Sequence, residues 1–119
     1  MMGVTLGIYE KALPPRLGWP EMLAIARDSR FDYVEMSVDE SDQRQARLLW
    51  SAAERADFRR AVADSGIRVP SMCLSGHRKY PFGSADPAIR ASAHDMMARA
   101  IDLAVDTGIR TIQLAGYDV

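Results

Sequence analysis

The chain has 119 residues, 48% hydrophobic and 26% charged, the balance of one soluble globular domain rather than a disordered segment. Its 15 Lys and Arg against 16 Asp and Glu give a net charge of -1, so nothing electrostatic points to nucleic acid or an anionic membrane as partner. The single Cys73 allows no internal disulfide, no apolar run reaches the roughly 18 residues of a membrane span, and Met1-Met-Gly-Val-Thr-Leu6 lacks the basic and apolar regions of a signal peptide. A reducing cytoplasm is the expected location.

The apolar run Thr5 to Tyr9 predicts a first strand, followed by the turn-rich stretch Lys11 to Gly18. Trp19, Met22, Leu23 and Ala26 recur at helical spacing, with Pro20 suited to a first helical turn, so helix one should run from there to about Ser29. Tyr33 to Val38 reads as the second strand, and Asp39 to Trp50 as a charged connection with room for a short helix. Ser51-Ala-Ala-Glu54 has the form of a capping box, which opens a second main helix burying Phe58, Ala61 and Val62. Val69 to Ser75 is the third strand, although Pro70 argues against full ladder pairing at its start. After the loop Gly76 to Ser84, Asp86 caps a third main helix with the stripe Ile89, Ala93, Met96, Met97, Ala100 and Ala104. Thr111 to Ala115 is the fourth strand.

A repeat runs through this order. Asp28-Ser-Arg-Phe-Asp-Tyr-Val-Glu-Met36, Asp64-Ser-Gly-Ile-Arg-Val-Pro-Ser-Met72 and Asp106-Thr-Gly-Ile-Arg-Thr-Ile-Gln-Leu114 each read as a helix end running into a strand, with periods of 36 and 42 residues. Gly66 and Gly108 stand where a helix C-terminus favours a left-handed residue; Arg30 stands there in the first copy, at some steric cost. Alternating strands and helices imply parallel strands with right-handed crossovers, in either a doubly wound sheet or a (β/α)8 barrel.

The strands alternate in the same sense in every copy. Val34, Met36, Val38, Met72, Leu74, Ile112 and Leu114 share the face expected under the helices. The opposite face carries Tyr9, Glu35, Ser37, Ser71, Cys73, Ser75, Thr111, Gln113 and Ala115. A doubly wound sheet is apolar on both faces, whereas a polar face repeated on four parallel strands suits a barrel lumen lined for a polar ligand. In repeat register Glu35, Ser71 and Gln113 should stand at equivalent places.

Glu35 is expected to meet a cation, a hydrogen-bond network or a ligand, since a buried carboxylate without a partner costs several kcal/mol. His77 follows the third strand, on the side of a parallel sheet where ligands bind; the alternative is an ordinary surface histidine. His94 reads as a solvated helix residue, and Arg78 and Lys79 as exposed loop charges or an anion grip. Glu35, His77 and Asp118 could share a metal only if the fold brought them together, and no zinc spacing, Gly-rich phosphate loop, nucleophile elbow or CxxC pair is present.

The segments Leu6-Gly-Ile-Tyr-Glu-Lys-Ala-Leu13, Val34-Glu-Met-Ser-Val-Asp-Glu-Ser41, Pro70-Ser-Met-Cys-Leu-Ser-Gly-His-Arg78 with Pro81-Phe-Gly-Ser84, and Gly108-Ile-Arg-Thr-Ile-Gln-Leu-Ala-Gly-Tyr-Asp-Val119 resemble, in collinear order, bacterial L-xylulose-5-phosphate 3-epimerases of the L-ribulose-5-phosphate-forming kind. The resemblance implies an α/β fold, the N-terminal (β/α)3β portion of a (β/α)8 TIM barrel of the xylose-isomerase-like type. It implies epimerisation at C3 of a ketopentose 5-phosphate by deprotonation beside the C2 ketone, with a divalent metal holding the enediolate. By resemblance, Tyr9, Glu35, His77 and Gln113 would line the sugar pocket, and no residue of this chain is assigned a catalytic step or a metal bond. The metal ligands and acid-base carboxylates of such barrels lie on later strands, so the metal belongs to the full-length family and none is expected to bind this chain.

A complete barrel takes about 250 residues, so the chain is expected to be a truncated product or N-terminal fragment, residues 1–119 forming a single partial domain. Three readings follow. The chain is an epimerase fragment inactive alone, a half-barrel that self-associates or assembles with a second chain through unpaired strand edges, or a sugar-phosphate-binding module without catalysis.

Overall fold

The computed structural model describes residues 3–114. Its elements are β1 (Gly7–Tyr9), α1 (Trp19–Asp28), β2 (Tyr33–Val38), α2 (Asp42–Gln45), α3 (Ala52–Ser65), β3 (Arg68–Leu74), α4 (Pro87–Thr107) and β4 (Thr111–Leu114). Short 3-10 turns at Glu10–Ala12, Ala46–Leu49 and Gly76–Arg78 follow β1, α2 and β3. The four strands form one parallel sheet in sequential order, β1-β2-β3-β4. This is a partial barrel, four βα-type strands in a row with helices on one side.

Local chemistry explains the boundaries. Ser51 Oγ accepts from the Glu54 N–H at 3.1 Å while Glu54 Oε1 accepts from the Ser51 N–H at 3.1 Å, so the expected capping box starts α3. Asp86 Oδ1 accepts from the Ala88 N–H at 2.9 Å, with Pro87 as the first residue of α4. Gly66 and Gly108 end α3 and α4 at φ 75° and 83°, and Arg30 takes the same left-handed conformation at φ 66° after α1. The repeat therefore specifies backbone geometry even where its glycine is missing.

The helix-facing side of the sheet is sealed along β2 and β3, whereas on β4 Ile112 is only half-buried and Leu114 is 50% exposed, so the expected cover over both is incomplete. Val34, Met36, Val38, Met72 and Leu74 are 0% exposed, as are Leu23, Ala26, Ala100 and Leu103 on the helices above them. Trp19, Met22 and Phe58 join this core as their spacing predicts, whereas Ala61, Val62, Ile89 and Met97 are only half-buried and Leu103 takes a place the predicted stripe omitted. Glycine at position 7 permits close packing of β1: a Cβ there would come within 2.1 Å of the Tyr33 ring.

Several expectations shift. The first strand is Gly7–Tyr9 rather than Thr5 to Tyr9, because Leu6 instead exchanges bonds with Asp32, donating its N–H to Asp32 Oδ2 and accepting from the Asp32 N–H, both at 2.7 Å. The third strand begins at Arg68 and ends at Leu74. Pro70 lies where the β2–β3 ladder skips, since Tyr33 pairs with Arg68 but Glu35 with Ser71, leaving one extra residue on β3. The missing N–H thus falls in a bulge, while the Pro70 carbonyl accepts from Arg110 N at 2.8 Å. Ala115 lies outside the described residues.

The register also corrects the equivalence read from the repeat. Tyr9 pairs with Glu35, Glu35 with Ser71 and Ser71 with Thr111, so these four form one tier. Gln113 pairs with Cys73, which is level with Ser37, one tier further along. Neighbouring strands of a barrel are staggered, and the β3–β4 step takes a two-residue stagger that no within-strand pattern encodes.

Replacing Arg30 with Gly relieves the left-handed strain and is expected to stabilise the fold by about 0.5–1 kcal/mol, while Gly108→Ala, with open space around it, destabilises it by about 1–2 kcal/mol. Urea unfolding midpoints measure both; an Arg30→Gly midpoint at or below the parent's contradicts the account.

Candidate functional site

The polar face of the sheet presents the two tiers just described. Tyr9, Glu35 and Ser71 are half-buried and Ser37 fully so, while Thr111 and Gln113 on β4 are exposed. Ser71 Oγ donates to Glu35 Oε2 at 2.9 Å. Among the described residues Glu35 has no ion pair, so its partner is a neutral hydroxyl, and most of its acceptor capacity faces the open side of the sheet. Tyr9 Oη donates to Ser37 Oγ at 2.9 Å, bridging the tiers. Burial raises the Tyr9 phenol above its ordinary value, the bond to Ser37 opposing it.

His77 is buried, 3% exposed, which excludes the ordinary surface histidine. Its Nε2 donates to the Ala93 carbonyl at 3.0 Å and its ring stacks 4.3 Å from Phe82, tying the end of β3 to α4. His94 is exposed, as expected, with its ring edge toward Phe82. Arg78 and Lys79 are also exposed; Arg78 Nη1 stands 3.6 Å from Glu40 and Lys79 Nζ 3.9 Å from Asp42. Gly76 begins the same turn because a side chain there would press on Met96 Sδ at 2.9 Å.

Sequence reading passed over the densest polar cluster, at the C-terminal ends of β1 and β2. Glu10 and Arg47 form a buried two-pronged ion pair, Nη2 to Oε2 being 2.6 Å. Asp39 accepts from Lys11 at 2.9 Å, from Arg44 at 3.1 Å and from the Ser41 N–H at 2.9 Å. Burial alone would raise the Asp39 carboxyl, but the bonds from Ser41, Lys11 and Arg44 outweigh it and hold the group well below the usual carboxylate range. The only signal in the sequence was charge density between Asp39 and Trp50, where each residue reads as solvated until the fold pairs it with Glu10 and Lys11.

A groove of about 690 Å³ lies elsewhere. It lies on the outside between the α2 segment and α4, lined by Gln45, Leu48, Leu49, Tyr80, Met96 and Arg99. Among the described residues no three His, Cys, Asp or Glu side chains are grouped to hold a metal ion, and no helix is long and apolar enough to cross a membrane.

The arrangement has known counterparts. A family profile described as "Xylose isomerase-like TIM barrel" matches residues 23–119. The chain belongs to that family. It is 60% identical over 119 residues to the Escherichia coli K12 protein named "Putative L-ribulose-5-phosphate 3-epimerase SgbU", covering 100% of this chain and 42% of the relative. It is 59% identical over 116 residues to L-ribulose-5-phosphate 3-epimerase UlaE of Salmonella typhimurium, covering 98% and 41%. The chain thus spans about two fifths of the length of the curated relatives it matches. A crystal structure of D-psicose 3-epimerase in the presence of D-fructose superposes with a TM-score of 0.76 at 21% identity, over 95% of this chain and 37% of that one, a likeness of fold.

The Asp39 cluster generates a pH prediction. A carboxyl depressed in the folded state stabilises above its unfolded value, near pH 4, and that contribution is lost as pH falls through the folded value. Urea midpoints of the parent should therefore fall as pH drops below about 4, and Asp39→Asn should flatten that limb; an equally steep limb in the variant speaks against the cluster.

Proposed function

We propose that residues 1–119 are the substrate-shaping portion of an L-ribulose-5-phosphate 3-epimerase, a single partial domain supplying four strands of an eight-stranded barrel. The carrying observation is the 54–60% identity to L-ribulose-5-phosphate 3-epimerases along nearly the whole chain. The polar tiers support it, since they provide what a sugar pocket needs: a phenol at Tyr9, a carboxylate with spare acceptor capacity at Glu35, and an exposed amide at Gln113.

In this reading the substrate is a ketopentose 5-phosphate held across the C-terminal ends of β1 to β4. Tyr9, Glu35 and Gln113 hydrogen-bond its hydroxyls, and His77, anchored to Ala93, walls the pocket at the end of β3. Epimerisation at C3 removes the proton beside the ketone and returns one to the opposite face. The full-length family is expected to use a divalent metal, but the described residues do not form a site for one, and no acid, base or metal step is assigned to them. The working location is the cytoplasm, and neither nucleic acid nor membrane is a partner.

A second reading, assembly with another chain, is favoured by one observation. Ile101 and Val105 on α4 are 48% and 78% exposed and Leu114 on β4 is 50% exposed, an apolar flank beside the sheet edge.

Both readings meet in one experiment. The 119-residue chain, incubated with L-ribulose 5-phosphate and a divalent metal in deuterated water, is expected to leave C3 unlabelled by NMR. Adding the rest of the Escherichia coli relative as a separate chain is expected to restore deuterium at C3 and form L-xylulose 5-phosphate. Labelling by the 119-residue chain alone would overturn the first reading.

A further inference from the structure

The buried pair of Glu10 and Arg47 does more than neutralise itself. Glu10 is 2% and Arg47 8% exposed. Beyond their mutual contacts, Glu10 Oε1 accepts from the Ser37 N–H at 2.8 Å, and Arg47 Nη1 donates to the Ser37 carbonyl at 2.9 Å. One ion pair therefore takes both backbone groups of Ser37, the residue whose Oγ receives the Tyr9 hydroxyl at 2.9 Å. The guanidinium also lies 5.0 Å from the centroid of the Trp19 ring, which steadies it from the helix side.

The need for such a brace lies in β1. It is only three residues long, half-buried throughout, and pairs with β2 alone among the described strands. Tyr9 is its last residue and Glu10 the next, so fixing the Glu10 carboxylate fixes the backbone that carries the phenol. Stability is a weak reason to keep such a pair, since well-packed apolar replacements of buried ion pairs are often neutral or better. Its geometric effect on Ser37 is specific.

We propose that Glu10 and Arg47 are positioning residues which hold Ser37, and through it the Tyr9 hydroxyl, in the lumen orientation used by the sugar pocket. The use of that orientation rests on the reading of the preceding subsection; the placement of Tyr9 does not.

The test is the double variant Glu10→Gln/Arg47→Met of the 119-residue chain, labelled with ¹³C-tyrosine, its Tyr9 signals assigned through Tyr9→Phe and its fold checked by circular dichroism. One negative and one positive charge are removed together, and the other groups that act on Tyr9, Lys11 and Cys73, are untouched. A change at Tyr9 then reports placement rather than net charge. The expected result is a fall of Tyr9 titration toward the ordinary phenol value as the ring reaches solvent, with a smaller fall in Arg47→Lys, which keeps the charge but not the fork. A folded double variant whose Tyr9 titration and ring resonances match the parent overturns the proposal. If the double variant does not fold, Arg47→Lys decides on the same readout, an unchanged Tyr9 again overturning it. Separately, L-ribulose 5-phosphate added to the parent with the complementing portion of the Escherichia coli relative should move the Tyr9 resonances. No movement there removes the pocket role while leaving the brace to stand or fall on the titration.

Discussion

Everything in this chain depends on the alternation of its parallel strands. Successive residues of a strand point to opposite faces, and the buried face here is closed by Val34, Met36, Val38, Met72 and Leu74 at 0% exposure beneath α1, α3 and α4. Moving a strand by one residue would put Glu35 or Ser71 into that apolar layer and lift Met36 or Met72 out of it. The register is therefore tightly specified, and the polar face is a consequence of the same constraint: once the helices take the apolar residues, Tyr9, Glu35, Ser37, Ser71, Cys73 and Gln113 share the other side.

Two kinds of polar chemistry then divide the work. On the lumen face the bonds are single and come from uncharged hydroxyl donors, as from Ser71 to Glu35 or from Tyr9 to Ser37, so capacity for further hydrogen bonds remains. At the strand ends the bonds are charged and mutually satisfied, as among Glu10, Arg47, Arg44, Asp39 and Lys11. Removing one partner from a buried pair of this kind costs about 3–5 kcal/mol, a large part of the 5–15 kcal/mol that holds a typical domain together. The charged cluster ties together the segments that follow β1 and β2, and the lumen face is more sparsely bonded.

Much of this was legible in the residues. The capping box at Ser51, the left-handed positions at Arg30, Gly66 and Gly108, and the two faces of β2 and β3 follow from local rules that act within a few residues. Relations between strands were harder. Gln113 stands level with Cys73 rather than Ser71 because stagger is a property of neighbouring strands. Arg47 and Glu10 meet across 37 residues of sequence, and nothing near either one announces the other. The burial of His77 follows from the packing of Phe82 and the reach of Ala93 on α4, neither visible from its place in a loop.

The central claim is that the polar face of this sheet, and not the groove beside α4, receives a ketopentose phosphate. It is tested most directly by mapping amide chemical shifts of the labelled chain, paired with the remainder of the Escherichia coli relative, as L-ribulose 5-phosphate is added. The account predicts changes concentrated at Tyr9, Glu35, Ser37, Ser71, Cys73 and Gln113. Changes concentrated instead at Gln45, Leu49, Tyr80 and Arg99, with the strand residues unmoved, would contradict it.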